Sequence, residues 1–216
     1  MRQVLKDLWE TKTDSPFPGL TTHAYLWTEP NALFYSVATD AEFADLERLG
    51  GVADQYLSHR DEAGPMLKRI AQQWGSTLHA PAAEIGDIGK HAHVDVPLGN
   101  RHIDDNNVGV IPTPGHSPGS TCYLVSGAEG SYLFTGDTLI RNDSGQWWAG
   151  YLEGISDAES LAASLERLAE LSPDVVISSA FQGDSGVNRI ESGRWRQHVT
   201  QALAGLPTRN ASSPGR

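Results

Sequence analysis

Apolar residues fall into two kinds of pattern along the 216-residue chain. Near the N-terminus and in the middle they form short runs rich in aromatic and β-branched residues. Between and after these they recur at helical spacing. Val4–Trp9, His23–Trp27 and Asn31–Val37 are rich in aromatic and β-branched residues and are bounded by Pro, Gly and Asp, which predicts strands. A helix is expected over about Asp40–Leu49, stopped by Gly50-Gly51, then a strand over Asp54–Ser58. Pro65 suits a first helical turn, and Met66, Leu67, Ile70, Ala71 and Trp74 give the helix that follows one apolar face.

Strand patterns return at Thr77–His79, Val94–Val96, Val108–Ile111, Thr121–Val125 and Tyr132–Thr135. Ser156 with Glu159 has the spacing of a capping box, and Leu161, Leu165, Leu168 and Leu171 line one face of the helix it would open. Pro173 ends that helix, Val175–Ile177 reads as a buried strand, and Glu191–Leu206 as a last helix. Strands and helices alternate in two similar halves, which predicts two packed sheets with helices outside, in one domain over residues 1–206. Residues 207–216 are polar and turn-rich and read as a flexible tail.

Composition narrows the function. Hydrophobic residues make up 39% and charged residues 20%, ordinary for a folded soluble chain, and the net charge is −11. A surface of that sign repels phosphate backbones, so nucleic acid is not an expected partner. The lone Cys122 sits in an apolar run and excludes an intrachain disulfide. The N-terminus is charged throughout with no apolar core of a signal peptide, and no run approaches the length of a membrane span. A cytoplasmic location and no membrane partner follow as expectations; the oligomeric state stays open.

The chemistry concentrates in two neighbouring segments. Ile111-Pro-Thr-Pro-Gly-His116-Ser-Pro-Gly-Ser-Thr-Cys-Tyr-Leu124 carries one imidazole on a tight Pro/Gly loop between two strands, a placement that suits a metal ligand. Soon after, Tyr132-Leu-Phe-Thr-Gly-Asp137-Thr-Leu presents a carboxylate directly after a strand. Together these segments closely resemble the metallo-β-lactamase superfamily, the fold of glyoxalase II, lactonases and many hydrolases. The resemblance implies an α/β fold of four layers, an αββα sandwich, in which His116 binds one metal and Asp137 bridges two.

The departures from the family pattern matter as much. Its main motif, His-x-His-x-Asp-His, falls where this chain reads His59-Arg-Asp61-Glu-Ala63-Gly64. The family's last His follows the strand after the long helix, where this chain reads Ser-Ser-Ala-Phe. By this matching the second metal loses most of its ligands. His59, Asp61, His116 and Asp137 remain, enough for one divalent ion, zinc foremost, with iron or manganese as alternatives, or for no ion if the site has decayed. Glu62 beside the cluster is the candidate general base. Trp147 and Trp148 either wall a substrate pocket or pack beneath their loop. His91-Ala-His93-Val-Asp95 mimics the metal motif but lies too near His116 in sequence and reads as a solvated strand edge.

Two functions follow from the resemblance. One is a metal-dependent hydrolase of a small ester, thioester or lactone. The other is an inactive relative of the same fold that acts as a binding protein. The incomplete motif and the missing export signal argue against an antibiotic-hydrolysing enzyme.

Overall fold

Alternation along the strands decides the layers. In β6 (Ala32–Phe34) the side chains of Ala32 and Phe34 face one core while Leu33 faces another. In β13 (Gly130–Gly136) Tyr132 and Phe134 join that same first core, and Leu133 turns away. Successive side chains of a strand point to opposite faces, so each sheet has one face toward its partner and one toward helices.

The computed structural model describes residues 1–17 and 20–207. Among them, seven strands form the first sheet in the order β1 (Arg2–Leu5), β2 (Leu8–Glu10), β5 (Tyr25–Trp27), β6, β7 (Asp54–Tyr56), β8 (Thr77–Pro81), β9 (Val96–Leu98). The second sheet runs β10 (His102–Ile103), β11 (Gly109–Pro112), β12 (Thr121–Gly127), β13, β16 (Val175–Ser178), β18 (Val187–Arg189). A small sheet joins β3 (Asp14–Phe17) and β4 (Leu20–Thr22) to β17 (Ala180–Phe181), and β14 (Leu139–Arg141) pairs with β15 (Trp147–Ala149).

Parallel neighbours require crossovers, and here the crossovers are helices. Between β6 and β9 the connections carry α1 (Phe43–Arg48), α2 (Pro65–Trp74) and α3 (Ile85–Ile88). The long link from β13 to its parallel neighbour β16 carries α4 (Ala158–Leu168), and α5 (Trp195–Ala204) packs beside it. Leu161, Leu165 and Leu168 of α4 and Trp195 and Val199 of α5 cover the outer face of the second sheet. Ile70 and Leu67 of α2 help cover the first. This is the αββα sandwich that the resemblance implies.

The inner core is aromatic. Phe34 and Phe134 stack across the two sheets with centroids 3.9 Å apart, and Tyr56 stacks on the other side of Phe34 at 5.1 Å. Cys122 belongs to the outer core under α4, where burial pushes its thiol pKa up to about 11, so it is an inert apolar residue.

Several element boundaries differ from the sequence expectation for local reasons. Val4–Trp9 is two strands, because Asp7 turns the chain. Its buried carboxylate accepts from Trp27 Nε1 at 3.0 Å, Tyr132 Oη at 2.8 Å and the amide of Ala128 at 2.7 Å. Asp40–Glu42 is a 3₁₀ turn capped by Thr39, and α1 begins only after it. The cap of α4 is Asp157, accepting from the amide of Ser160 at 2.6 Å, one residue beyond the expected Ser156. Of the tail, only Pro207 lies within the described residues. No helix among the described residues is long and apolar enough to cross a membrane.

Phe34→Ala should cost about 3–5 kcal/mol in equilibrium urea unfolding, while Ile103→Ala, at a residue 74% exposed, should change stability by about 0.5 kcal/mol or less. Similar values for the two would contradict this placement of the core.

Candidate metal centre

The chain ends of three strands meet at one edge of the sandwich. His59 follows β7, its backbone extended, just ahead of a 3₁₀ turn over Arg60–Glu62 that carries Asp61. His116 sits on the loop between β11 and β12, and Asp137 directly follows β13. Gly136 makes that last placement possible. It adopts φ +52°, and a Cβ there would lie 2.1 Å from Ser58 Oγ.

Donor atoms of His59, Asp61 and His116 all lie within 4.8 Å of one another. Asp137 Oδ2 stands 3.7 Å from His59 Nε2 and 3.8 Å from His116 Nε2, and Asp61 Oδ2 is 3.9 Å from His59 Nε2. The two rings are perpendicular with centroids 4.8 Å apart. Ligands of a tetrahedral ion bound at about 2.0–2.1 Å are about 3.3 Å apart. The pairs at 3.7–3.9 Å are about half an ångström wider than that and the widest, at up to 4.8 Å, needs side-chain rotation to close, so this donor set of two imidazoles and two carboxylates fits one divalent ion by its chemistry.

The far edges of both rings are tied. His116 Nδ1 lies 2.6 Å from the carbonyl of Gly150, so Nδ1 carries the proton and Nε2 keeps its lone pair. His59 Nδ1 faces Ser58 Oγ at 2.9 Å and Glu62 Oε1 at 3.4 Å. Glu62 also accepts from the Ser58 amide at 2.7 Å and from the Ser58 hydroxyl. Its carboxylate therefore stands behind His59, at the nitrogen opposite the other donors. This carboxylate, the expected general base, is thus engaged with Ser58 and the Nδ1 edge.

What holds the two loops together is a residue that no local motif marks. Glu84, only 2% exposed, accepts from the amides of Arg60 at 2.7 Å and Gly119 at 3.0 Å. One carboxylate thus pins the His59 turn to the His116 loop. The Thr121 amide donates to the Ser58 carbonyl at 2.9 Å, and Tyr35 Oη donates to Ile177 O at 2.7 Å while accepting from the Gly136 amide at 2.9 Å. From the other side α4 clamps the His116 loop. The Asp157 amide donates to Gly115 O at 2.8 Å, Ser156 Oγ to His116 O at 2.8 Å and Ser164 Oγ to Pro114 O at 2.7 Å. Gly115, at φ +141°, lets the loop lie against the backbone of Leu161, 2.3 Å from where a Cβ would stand.

The cluster opens into a cavity of about 470 Å³, lined among others by His59, Asp61, Glu62, Asp137, Lys12 and His23. Ser179, just past β16, occupies the region where the family pattern supplies its last His, and its hydroxyl donates to Asp137 Oδ1. Burial works against a charged imidazole at His59, but the carboxylates of Glu62, Asp137 and Asp61 outweigh it and push its pKa up to about 9.

Other candidates lie elsewhere. Trp147 is buried under α5 against Trp195 and His198, and Trp148 is 44% exposed. Neither is among the residues that line the cavity, and β15 lies against α5, so Trp147 faces helix. His91 and His93 are exposed and follow α3, on a part of the surface that none of the cluster residues lines.

Comparison with known proteins agrees with this architecture. Residues 53–180, more than half of the chain, match the family described as the metallo-beta-lactamase superfamily. A metallo-beta-lactamase from Pontibacter korlensis superposes with a TM-score of 0.69 at 13% identity, covering 94% of this chain and 95% of that one. An archaeal superfamily protein from Sulfolobus tokodaii gives 0.64 at 16% identity, covering 98% and 92%. These likenesses concern the fold. In sequence, a hydroxyacylglutathione hydrolase of Neisseria meningitidis is 27% identical over 121 residues, 48% of each chain, and one of Neisseria gonorrhoeae is 33% identical over 88 residues, 40% of this chain and 35% of that protein. The match spans about half or less of the length of these relatives.

The raised pKa of His59 sets a pH window. Its stabilising charge is fully present below the unfolded value of about 6.5 and is lost as pH rises through about 9. Chelator-treated wild type should therefore lose stability to urea between pH 6.5 and 9 relative to His59→Gln. Parallel pH profiles for the two proteins would contradict the charge assignment.

Proposed function

This chain belongs to the metallo-beta-lactamase superfamily, and from that premise we propose that it is a metal-dependent hydrolase of a small ester, thioester or lactone, with a site for one ion. The single observation that carries this reading is the convergence of the His59 and His116 imidazoles with the Asp61 and Asp137 carboxylates beside one cavity, which His59, Asp61 and Asp137 line. His59, His116, Asp61 and Asp137 would hold the ion, zinc foremost and iron or manganese next. Such an ion polarises a bound carbonyl and makes water a better nucleophile near neutral pH.

The remaining work falls to the chain itself. The Gly150 carbonyl orients His116, and Glu62 orients His59 from behind as a positioning residue. Asp61, with its side chain 59% exposed at the cavity, and Asp137 are the carboxylates placed to accept a proton from an attacking water. Ser179 holds Asp137 Oδ1, leaving Oδ2 toward the imidazoles. The relatives named as hydroxyacylglutathione hydrolases make hydroxyacyl thioesters the first substrates to try. The acidic balance of the chain supports small-molecule substrates over nucleic acid, and its single cysteine supports a reducing, cytoplasmic location.

A second reading is a binding protein that keeps the fold without turnover. It is favoured by one observation: Ala63, Gly64 and Ser179 supply no imidazole or carboxylate for a second ion.

His116→Ala should abolish metal content and hydrolysis of an ester and thioester panel, with little change in stability of the metal-free protein. Undiminished turnover in that variant would refute the hydrolase reading, and a metal-loaded wild type inert toward the whole panel would favour the binding protein. Glu62→Gln should weaken metal binding about 10–100-fold and lower the His59 pKa followed by NMR titration. An unchanged pKa would reduce Glu62 to a packing residue.

A further inference from the structure

His23 is the buried titratable group that the hydrolase reading leaves unused. It is 4% exposed and precedes β5, and its ring stacks on Phe181 with centroids 5.1 Å apart. Both ring nitrogens are buried with no hydrogen-bond partner. Glu10 Oε1 comes within 3.8 Å of Nε2, too far for a hydrogen bond, and that oxygen is already taken by Arg2 while Oε2 accepts from Ser185. Burying a polar group without a partner destabilises the fold. A Phe in its place would stack equally well on Phe181 without that cost.

The orphaned imidazole lines the same cavity as His59, Asp61 and Asp137. Its own backbone amide donates to Ser179 O at 3.3 Å, and the Ser179 side chain holds Asp137. His23 is therefore fixed relative to the metal cluster through a single intervening residue. Resting on the hydrolase reading and deepening it, we infer that His23 is a specificity-determining residue, which binds a neutral hydroxyl of the substrate beyond the scissile bond.

The chemistry of the cavity selects that group. Five carboxylates line it (Asp14, Glu42, Asp61, Glu62 and Asp137) against one lysine, Lys12, so a second negative charge on the ligand is disfavoured. A neutral imidazole offers one donor and one acceptor, and a hydroxyl can answer either. A site built around a polar group rejects an analogue that lacks the matching atom, because the protein atom is then left unpaired again.

The test uses the full chain, with metal content determined first. Hydrolysis of two matched thioesters, one with a 2-hydroxyacyl group and one with the corresponding acyl group, is compared for wild type, His23→Ala and His23→Phe. Wild type should favour the hydroxyacyl substrate by about tenfold in kcat/KM. Both variants should lose that preference through KM for the hydroxyacyl substrate alone, with metal content unchanged and with Tm of His23→Phe equal to or above wild type. A preference that survives in both variants, or a fall in Tm of His23→Phe with kinetics unchanged, would overturn the assignment and make His23 a structural residue. If metal-loaded wild type hydrolyses neither thioester, the hydrolase reading fails, and His23 is judged by calorimetric binding of two uncleavable thioethers that differ in the same hydroxyl. Tighter binding of the hydroxyl-bearing thioether, lost in His23→Phe, supports His23 as its partner; equal binding of the two excludes it.

Discussion

Two backbone amides that share one buried carboxylate hold this site together. Glu84 accepts from Arg60, next to His59 and Asp61, and from Gly119, three residues past His116. The first amide belongs to the turn after the first sheet and the second to a loop of the other sheet, so the metal cluster spans a seam between layers. Its geometry depends on the layers keeping their register. The Phe34–Phe134 stack fixes the spacing in the core, and Thr121 N to Ser58 O and Tyr35 Oη to Ile177 O tie the edge. A site assembled from chain ends of different sheets needs such ties, since ligands must be held to within about half an ångström to be useful.

The second constraint is charge. Glu62, Asp137 and Asp61 crowd around a buried His59, and like charges in a poorly solvated place need a cation nearby. A protonated His59 supplies it when no ion is bound, which is the physical meaning of its raised pKa. A divalent ion would take over that role, and His59 would then give up its proton to become a ligand. The carboxylates thus make the site stable in either state and make the two states compete through one proton.

How much of this was legible in the sequence follows from how local each feature is. The loop from Thr113 to Thr121 and the Gly136-Asp137 step are contiguous, and their Pro, Gly, His and Asp pattern carries the geometry within a dozen residues. His59 and Asp61 were legible because they follow a strand at the right distance. Glu84 was not, since its partners lie 24 and 35 residues away in sequence and its own surroundings resemble any short helix. Trp147 and Trp148 were open for the same reason: only the docking of α5 decides which face of β15 is buried. Ser156 shows a finer version. Its hydroxyl is drawn to His116 O, so Asp157 takes the cap that local spacing assigned to Ser156. The short strands β3, β4, β14, β15 and β17 are too short to have a period of their own to read, and β17 finds its partner β4 only through a long-range contact.

The most direct measurement of the central claim, one ion held by these four side chains, is metal stoichiometry of the purified protein by elemental analysis after loading and desalting, set beside His59→Ala. The geometry predicts one equivalent of zinc, iron or manganese in the wild type and none in the variant. Two equivalents in the wild type, or one that persists without His59, would contradict it.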